Sequence, residues 1–164
     1  TNAVIIGSSG TVALTQNEIV YGASNSSVGV AMTKTFSGTV AAEGTATILT
    51  FKAKDGTSGQ TGATNYLGGE VVLTLKLGSD YETKKIMIHQ DGDPTDGGAD
   101  IFITEFATLG VELGETIATD MGAIDGTSAV GNGDEHVWLT LTAPSGGAVK
   151  YAGVAHLVEV PGDS

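Results

Sequence analysis

The chain has 164 residues, a formal net charge of −12 and a sequence pI near 4.3, and all seven of its basic residues are lysines. An acidic chain without arginine is a poor match for phosphate backbones or anionic bilayers, so nucleic-acid and membrane-surface partners are excluded. Cysteine is absent, which removes disulfides and thiolate metal sites, while 40% hydrophobic residues, 25 Gly and only 3 Pro favour many short strands joined by glycine turns.

The expected fold is therefore all-β. No run approaches about 18 apolar residues, and Thr1-Asn2-Ala3-Val4 is not a basic region leading into a long apolar one, so a soluble chain is expected. From Thr1 to Thr33 the apolar bursts are three to five residues long and bounded by Gly, Ser or Asn. Such marginal strands need a partner. Either they pair with the main sandwich, or they form an arm (residues 1–34) that adds a strand to a neighbouring subunit. Val4, Ile5, Ile6, Val12, Leu14, Ile19, Val20 and Tyr21 are then the contact candidates, together with Trp138.

Residues 35–164 read as the sandwich domain. Lys34 to Lys54 predicts a hairpin turning near Ala42 to Gly44, with Thr47, Leu49 and Phe51 on one face and Ile48 opposite. Asp55 to Leu67 is Gly/Thr-rich and predicts a surface loop. The stretch from Gly69 to Phe106 organises the rest. Val71, Leu73, Leu75 and Leu77 alternate with Val72, Thr74 and Lys76; Gly78 to Asp80 supplies a turn; Ile86 and Ile88 share a face; Ile101 to Phe106 resumes the alternation after a loop from Asp91 to Asp100. This predicts a three-strand antiparallel meander. Ala107 to Ala118 is ambiguous, and Asp120 to Asp134 reads as a loop. Glu135 to Ala143 is a strand with Val137, Leu139 and Leu141 on one face and Trp138, Thr140 and Thr142 on the other. Pro144 to Gly147 predicts a hairpin turn into a last strand, Ala148 to Val160, with Val149, Tyr151, Ala155 and Leu157 pointing one way. Eight to ten strands suit an antiparallel β-sandwich or jelly roll with a strand-rich N-terminal arm.

Chemistry is sparse. His89, His136 and His156 fall at a strand end, a strand start and a strand interior, and no GxSxG, HExxH or P-loop spacing occurs, so no catalytic residues are assigned. Asp91, Asp93, Asp96 and Asp100 could offer hard oxygens to calcium, the one candidate cofactor. The EF-hand spacing fails, because Asp96 stands where the sharp turn needs Gly and Phe102 where the bidentate Glu belongs. Asp120, Asp125, Asp134 and Glu135 form a weaker cluster. Asp-Gly runs are also ordinary turn chemistry. Aromatics make up only 5% of residues. Trp138, Tyr66, Tyr81 and Tyr151 are the ring candidates for a sugar platform, and Trp138 can equally pack between sheets or at a subunit contact.

Asp80, Tyr81 and Thr83, the run Ile86 to Gly92, then Ile103-Thr104-Glu105-Phe106, and finally Leu139 to Pro144 with Val149 and Lys150 form a pattern. It resembles a β-rich module of structural proteins of tailed bacteriophages, marine ones especially, over roughly Gly69 to Val160. The acidic loop between His89 and Ile101 and the insertion around Asp120 to Asp134 depart from it. The resemblance carries no catalytic residues. It implies a virion part such as a capsid decoration or cement protein, a head fibre or knob, or a tail or neck fibre segment. Expected partners are the major capsid protein or other virion subunits, in a homo-oligomer, a trimer for preference, on the capsid surface or a fibre. The alternatives are a secreted carbohydrate-binding sandwich and a subunit of an extracellular filament joined by donor strands.

Overall fold

Strands whose side chains alternate between apolar and polar can bury one face each, and two sheets stacked face to face bury those faces together. The computed structural model describes residues 4–6, 18–22, 29–52, 66–91, 100–123 and 135–159, and among these every regular element is a strand. The ten strands are β1 (Val4–Ile6), β2 (Glu18–Gly22), β3 (Gly29–Val40), β4 (Thr45–Lys52), β5 (Tyr66–Leu77), β6 (Asp80–Asp91), β7 (Asp100–Gly110), β8 (Thr116–Ala123), β9 (Glu135–Thr142) and β10 (Val149–Glu159). They form a seven-stranded sheet in the order β1-β2-β3-β10-β5-β6-β7 and a three-stranded sheet in the order β4-β9-β8. All pairings are antiparallel except the short β1–β2 pair. The protein is an antiparallel β-sandwich.

The core lies between the sheets. Met32, Val71, Leu73, Leu75, Ile86, Ile88, Val149, Ala155 and Leu157 enter it from the large sheet, and Ile48, Leu49, Phe51, Val137, Leu139 and Leu141 from the small one. The expected faces of β5, β6, β9 and β10 are the observed ones, and β5, β6 and β7 form the expected meander.

Two expected hairpins are corrected. β3 pairs with β2 and β10 in the large sheet, whereas β4 pairs with β9 in the small sheet, so the turn at residues 41–44 carries the chain from one sheet to the other. The Pro144 to Gly147 turn likewise links β9 in the small sheet to β10 in the large one. The two crossings lie side by side: the Ala143 amide donates to Gly44 O at 2.9 Å and the Glu43 amide to Pro144 O at 3.4 Å. The ambiguous stretch after Phe106 resolves into the end of β7, a third crossing at 111–115, and β8. All three crossings and the β5–β6 turn share one pole. Residues 53–65, 92–99 and 124–134, the expected loops among them, lie outside the described residues.

Three boundaries shift. Tyr66 and Leu67 belong to β5 rather than to a loop, Asp120 to Ala123 continue β8 opposite Trp138 to Glu135, and Asp91 and Asp100 are paired strand ends. In β4 the register shifts between Thr47 and Leu49. Ile48 is the extra residue of this bulge, so it and Leu49 are both buried while Thr47 turns outward opposite Thr140. At the N-terminus, β2 pairs with β3 of the same chain, and residue 34 lies inside β3.

Candidate functional site

Strand alternation gives the seven-stranded sheet an outer face as well as a core face, and that face is unusual in composition. Across β10, β5, β6 and β7, Val158, Gly68, His89 and Phe102 stand in one row and His156, Glu70, Met87 and Thr104 in the next. Met87 is 46% exposed, Phe102 53% and Val158 56%. Farther along, the register of β7 shifts opposite Lys85 and Ile86, leaving Phe106 as the extra residue, 51% exposed, with the Lys85 ammonium 5.2 Å from its ring centroid. Leu109, opposite Thr83, is 73% exposed. Large side chains left in water in this density on one face mark a contact surface.

Two glycines shape it. A Cβ at Gly68 would run into the carbonyl oxygen of Ile88, and one at Gly69 into that of His156, so the neighbouring strands close in on β5 where no side chain stands. The result is an open, largely apolar groove of about 440 Å³ lined by Gly68, Gly69, Met87, His89, Phe102 and Val158 among others. His89 stacks on Phe102 with ring centroids 6.4 Å apart, and His156 Nδ1 lies 3.0 Å from Thr33 Oγ1.

The face carries charge of both signs. Lys76 and Lys150 pair at its crossing-pole end and Lys85 lies farther along beside Glu70, while Asp91 and Asp100, the paired ends of β6 and β7, fall on the same alternation as His89 and Phe102. Lys85 reaches Glu70 at 2.6 Å, and this hydrogen bond is the chief reason the Glu70 carboxyl sits below its ordinary pKa. The crossing pole exposes Glu43, Asp80 and Glu112 beside Val111, which is 54% exposed.

Under that pole lies a second arrangement that sequence reasoning missed. Lys84 Nζ is 3.1 Å from Glu82 Oε1, 3.1 Å from Glu105 Oε2 and 2.8 Å from Glu115 Oε1, and the side chains of Lys84, Glu82 and Glu115 are nearly all buried. Glu82 Oε2 accepts the Leu113 amide at 3.0 Å. Burial alone would lower the Lys84 pKa, but hydrogen bonds to Glu115, Glu105 and Glu82 outweigh it and hold the ammonium well above its ordinary value. Three carboxylates around one lysine leave negative charge uncompensated, and Glu115 Oε2 is buried with no hydrogen-bond partner among the described residues. The signal in the sequence was the period of two: Glu82 and Lys84 share the face of Ile86 and Ile88, which the alternation directs into the core.

Of the residues singled out from the sequence, the structure pairs some and the rest lie apart or outside the described residues. Asp91 and Asp100 are Cα partners at the ends of β6 and β7, while Asp93 and Asp96 lie outside the described residues, as do Asp125, Asp134, Val12 and Leu14. Among the described residues no group of acids and histidines could hold a metal ion. Val4, Ile5 and Ile6 pair in parallel with Ile19, Val20 and Tyr21. Of these β2 residues Tyr21 is 41% exposed on the outer face, opposite Ala31. Trp138 is half-buried on the outer face of the small sheet, opposite Thr50. Tyr151 packs at 6.4 Å from Phe36, and burial raises its pKa. No protein-family model, curated protein or solved structure matches the chain.

Proposed function

We propose that the protein is a non-enzymatic structural subunit that works by contact, a virion part that decorates or cements a phage capsid. The observation that carries this reading is the outer face of the seven-stranded sheet, where Met87, Phe102, Phe106, Leu109 and Val158 stand in water although a complete core already lies behind them. Apolar area of that kind is stabilising only when another surface covers it. The phage-module pattern between Asp80 and Lys150 supports placing that surface in a virion. An acidic exterior suits a shell component, since it does not adhere to packaged DNA.

Immuno-electron microscopy tests the assignment. Antibody raised against the chain is expected to label intact particles of the phage that encodes it at regularly repeated positions. Intact particles that stay unlabelled, while disrupted ones still contain none of the chain, overturn it.

A further inference from the structure

We infer that β7, the edge strand of the seven-stranded sheet, pairs antiparallel with β7 of a second copy of this chain and joins the two sheets into one. This deepens the structural-subunit reading, on which it rests, by naming a partner. An edge strand presents a row of unpaired amides and carbonyls, and proteins guard such edges with proline, free charges, bulges or short length. Among the described residues the sheets end in β1, β7, β4 and β8. β1 has 3 residues, and β4 and β8 have 8 each, whereas β7 has 11 and holds neither proline nor lysine. Its bulge at Phe106 leaves residues 100–105 regular. The one charged residue between Ile101 and Gly110 is Glu105, and it is already bound by Lys84 Nζ at 3.1 Å. Thr104 to Gly110 are all exposed, and no described strand lies beyond them.

A second copy fits this edge by symmetry. A twofold axis through Thr104, normal to the sheet, sets Phe102 of each copy opposite Phe106 of the other on the outer face, and Ile103 opposite Glu105 on the core side. The two rings, 53% and 51% exposed in the single chain, then cover one another as cross-strand aromatic pairs. Charge permits the approach. Two chains of net charge −12 repel wherever their acids meet. Along residues 101–110, however, the lone acid is paired with Lys84, and the Lys85 ammonium stands 5.2 Å from the Phe106 ring centroid. Because the axis is normal to the sheet, both outer faces stay on one side of the dimer. The two grooves over Gly68 and Gly69, lined by Met87, His89 and Val158 as well as Phe102, then face the same way, so a shell is gripped at two points at once.

Sedimentation velocity and a single thiol test the contact in the full chain. The parent is expected to sediment as a dimer. Phe102→Lys with Phe106→Lys sets lysine against lysine twice and is expected to give a monomer, whereas Phe102→Glu with Phe106→Lys sets glutamate against lysine twice and is expected to recover the dimer. These side chains are exposed, and each variant is first required to melt as the parent does. The thiol reads the register independently of them. Cysteine is absent from the sequence, so Thr104→Cys carries the only thiol. Opposed Cα atoms of an antiparallel pair lie about 4.5–5.5 Å apart, within disulfide reach. Mild oxidation is expected to shift Thr104→Cys from monomer to disulfide dimer on a non-reducing gel and to leave Leu109→Cys, which the same axis keeps far from its own copy, as monomer. Two double variants that behave alike overturn the contact, and so does Leu109→Cys cross-linking as fast as Thr104→Cys. A parent that is monomeric at about 100 µM while antibody still labels particles sinks the self-pairing, gives the edge to a strand of another protein and leaves the structural-subunit reading standing. Unlabelled particles remove that reading whatever the sedimentation shows.

Discussion

Lys84 Nζ and Glu115 Oε1 lie 2.8 Å apart, with the Glu115 side chain 1% exposed, and this ion pair ties the 111–115 crossing to β6, the strand beside the edge strand β7 of the large sheet. Lys84 stands on β6 and Glu115 at the end of the segment that leaves β7 for the other sheet. With Glu82 holding the Leu113 amide from the same strand, the crossing is fastened by charge rather than by a hairpin ladder. Leu113, 8% exposed, adds its side chain to the core between these polar anchors.

Replacing Lys84 is therefore expected to cost far more than a surface charge would. Lys84→Met leaves Glu82 and Glu115 buried without their cation, which for a broken buried pair amounts to about 3–5 kcal/mol. Urea unfolding at pH 7 measures this. The loss should shrink as pH falls through the carboxylate range, because the unpaired acids can then take up protons and become neutral. A loss that is the same at pH 7 and pH 4.5 would mean that the carboxylates had reached solvent.

The alkaline limb has its own sign. The folded-state pKa of Lys84 lies above its ordinary value of 10.5, so the folded protein holds this proton more tightly than the unfolded chain does. Its contribution is complete below the ordinary lysine value and is lost as pH climbs through the folded-state value. The stability difference between parent and Lys84→Met should thus be flat from pH 7 to about 10 and then narrow. Taking the difference removes the titration of the other lysines and the tyrosines. Narrowing already between pH 7 and 9 would contradict the buried cluster.

Much of the sandwich was legible because strand alternation is a local property. Val71, Leu73 and Leu75, or Val137, Leu139 and Leu141, show their buried face without reference to any other part of the chain. Sheet membership is not local. The turns at Ala42 to Gly44 and Pro144 to Gly147 have the chemistry of hairpins, but the same reversal can return a strand beside its predecessor or pass it to the facing sheet. Only the competing partners decide, here β10 for β3 and β9 for β4. The bulge at Ile48 was hidden because Ile48 and Leu49 are both apolar, so either could be the core residue. The outer apolar face escaped notice for a related reason. In β7, Ile101 and Ile103 alternate with Phe102, both sets read as buryable, and the choice is made by where the small sheet lies.

Three glycines should rank by what a methyl group meets. At Gly78 it meets nothing within 4 Å, so Ala costs only the positive φ of 61°, about 1 kcal/mol. At Gly68 it meets backbone, the Ile88 carbonyl oxygen and His89 Cα at 3.0 Å, and the paired strands must separate. Gly69 is as tight, against His156 and Leu157 backbone. Gly68→Ala and Gly69→Ala are each expected to cost roughly 2–3 kcal/mol, more than Gly78→Ala, by chemical denaturation. Equal costs at all three would show that the strands are not drawn in over the groove floor.

Glu43 offers the opposite case, a substitution expected to stabilise. It is the one non-glycine residue with positive φ among those described, at 58°, and it sits in the turn that carries β3 into β4. A side chain in that region costs about 1–2 kcal/mol relative to the right-handed one, while glycine brings back an unfolded-state entropy penalty of roughly 0.4–1 kcal/mol. The amide that donates to Pro144 O and the carbonyls around it remain in Glu43→Gly, so the two crossings stay bonded. The carboxylate is exposed and its removal from a chain of net charge −12 lowers self-repulsion slightly. Glu43→Gly should therefore gain about 0.5–1 kcal/mol in the folded protein, and Glu43→Asn, which tolerates the same φ with less freedom to lose, at least as much. A lower melting midpoint for both would mean that the Glu43 side chain holds the crossing in place by a contact of its own.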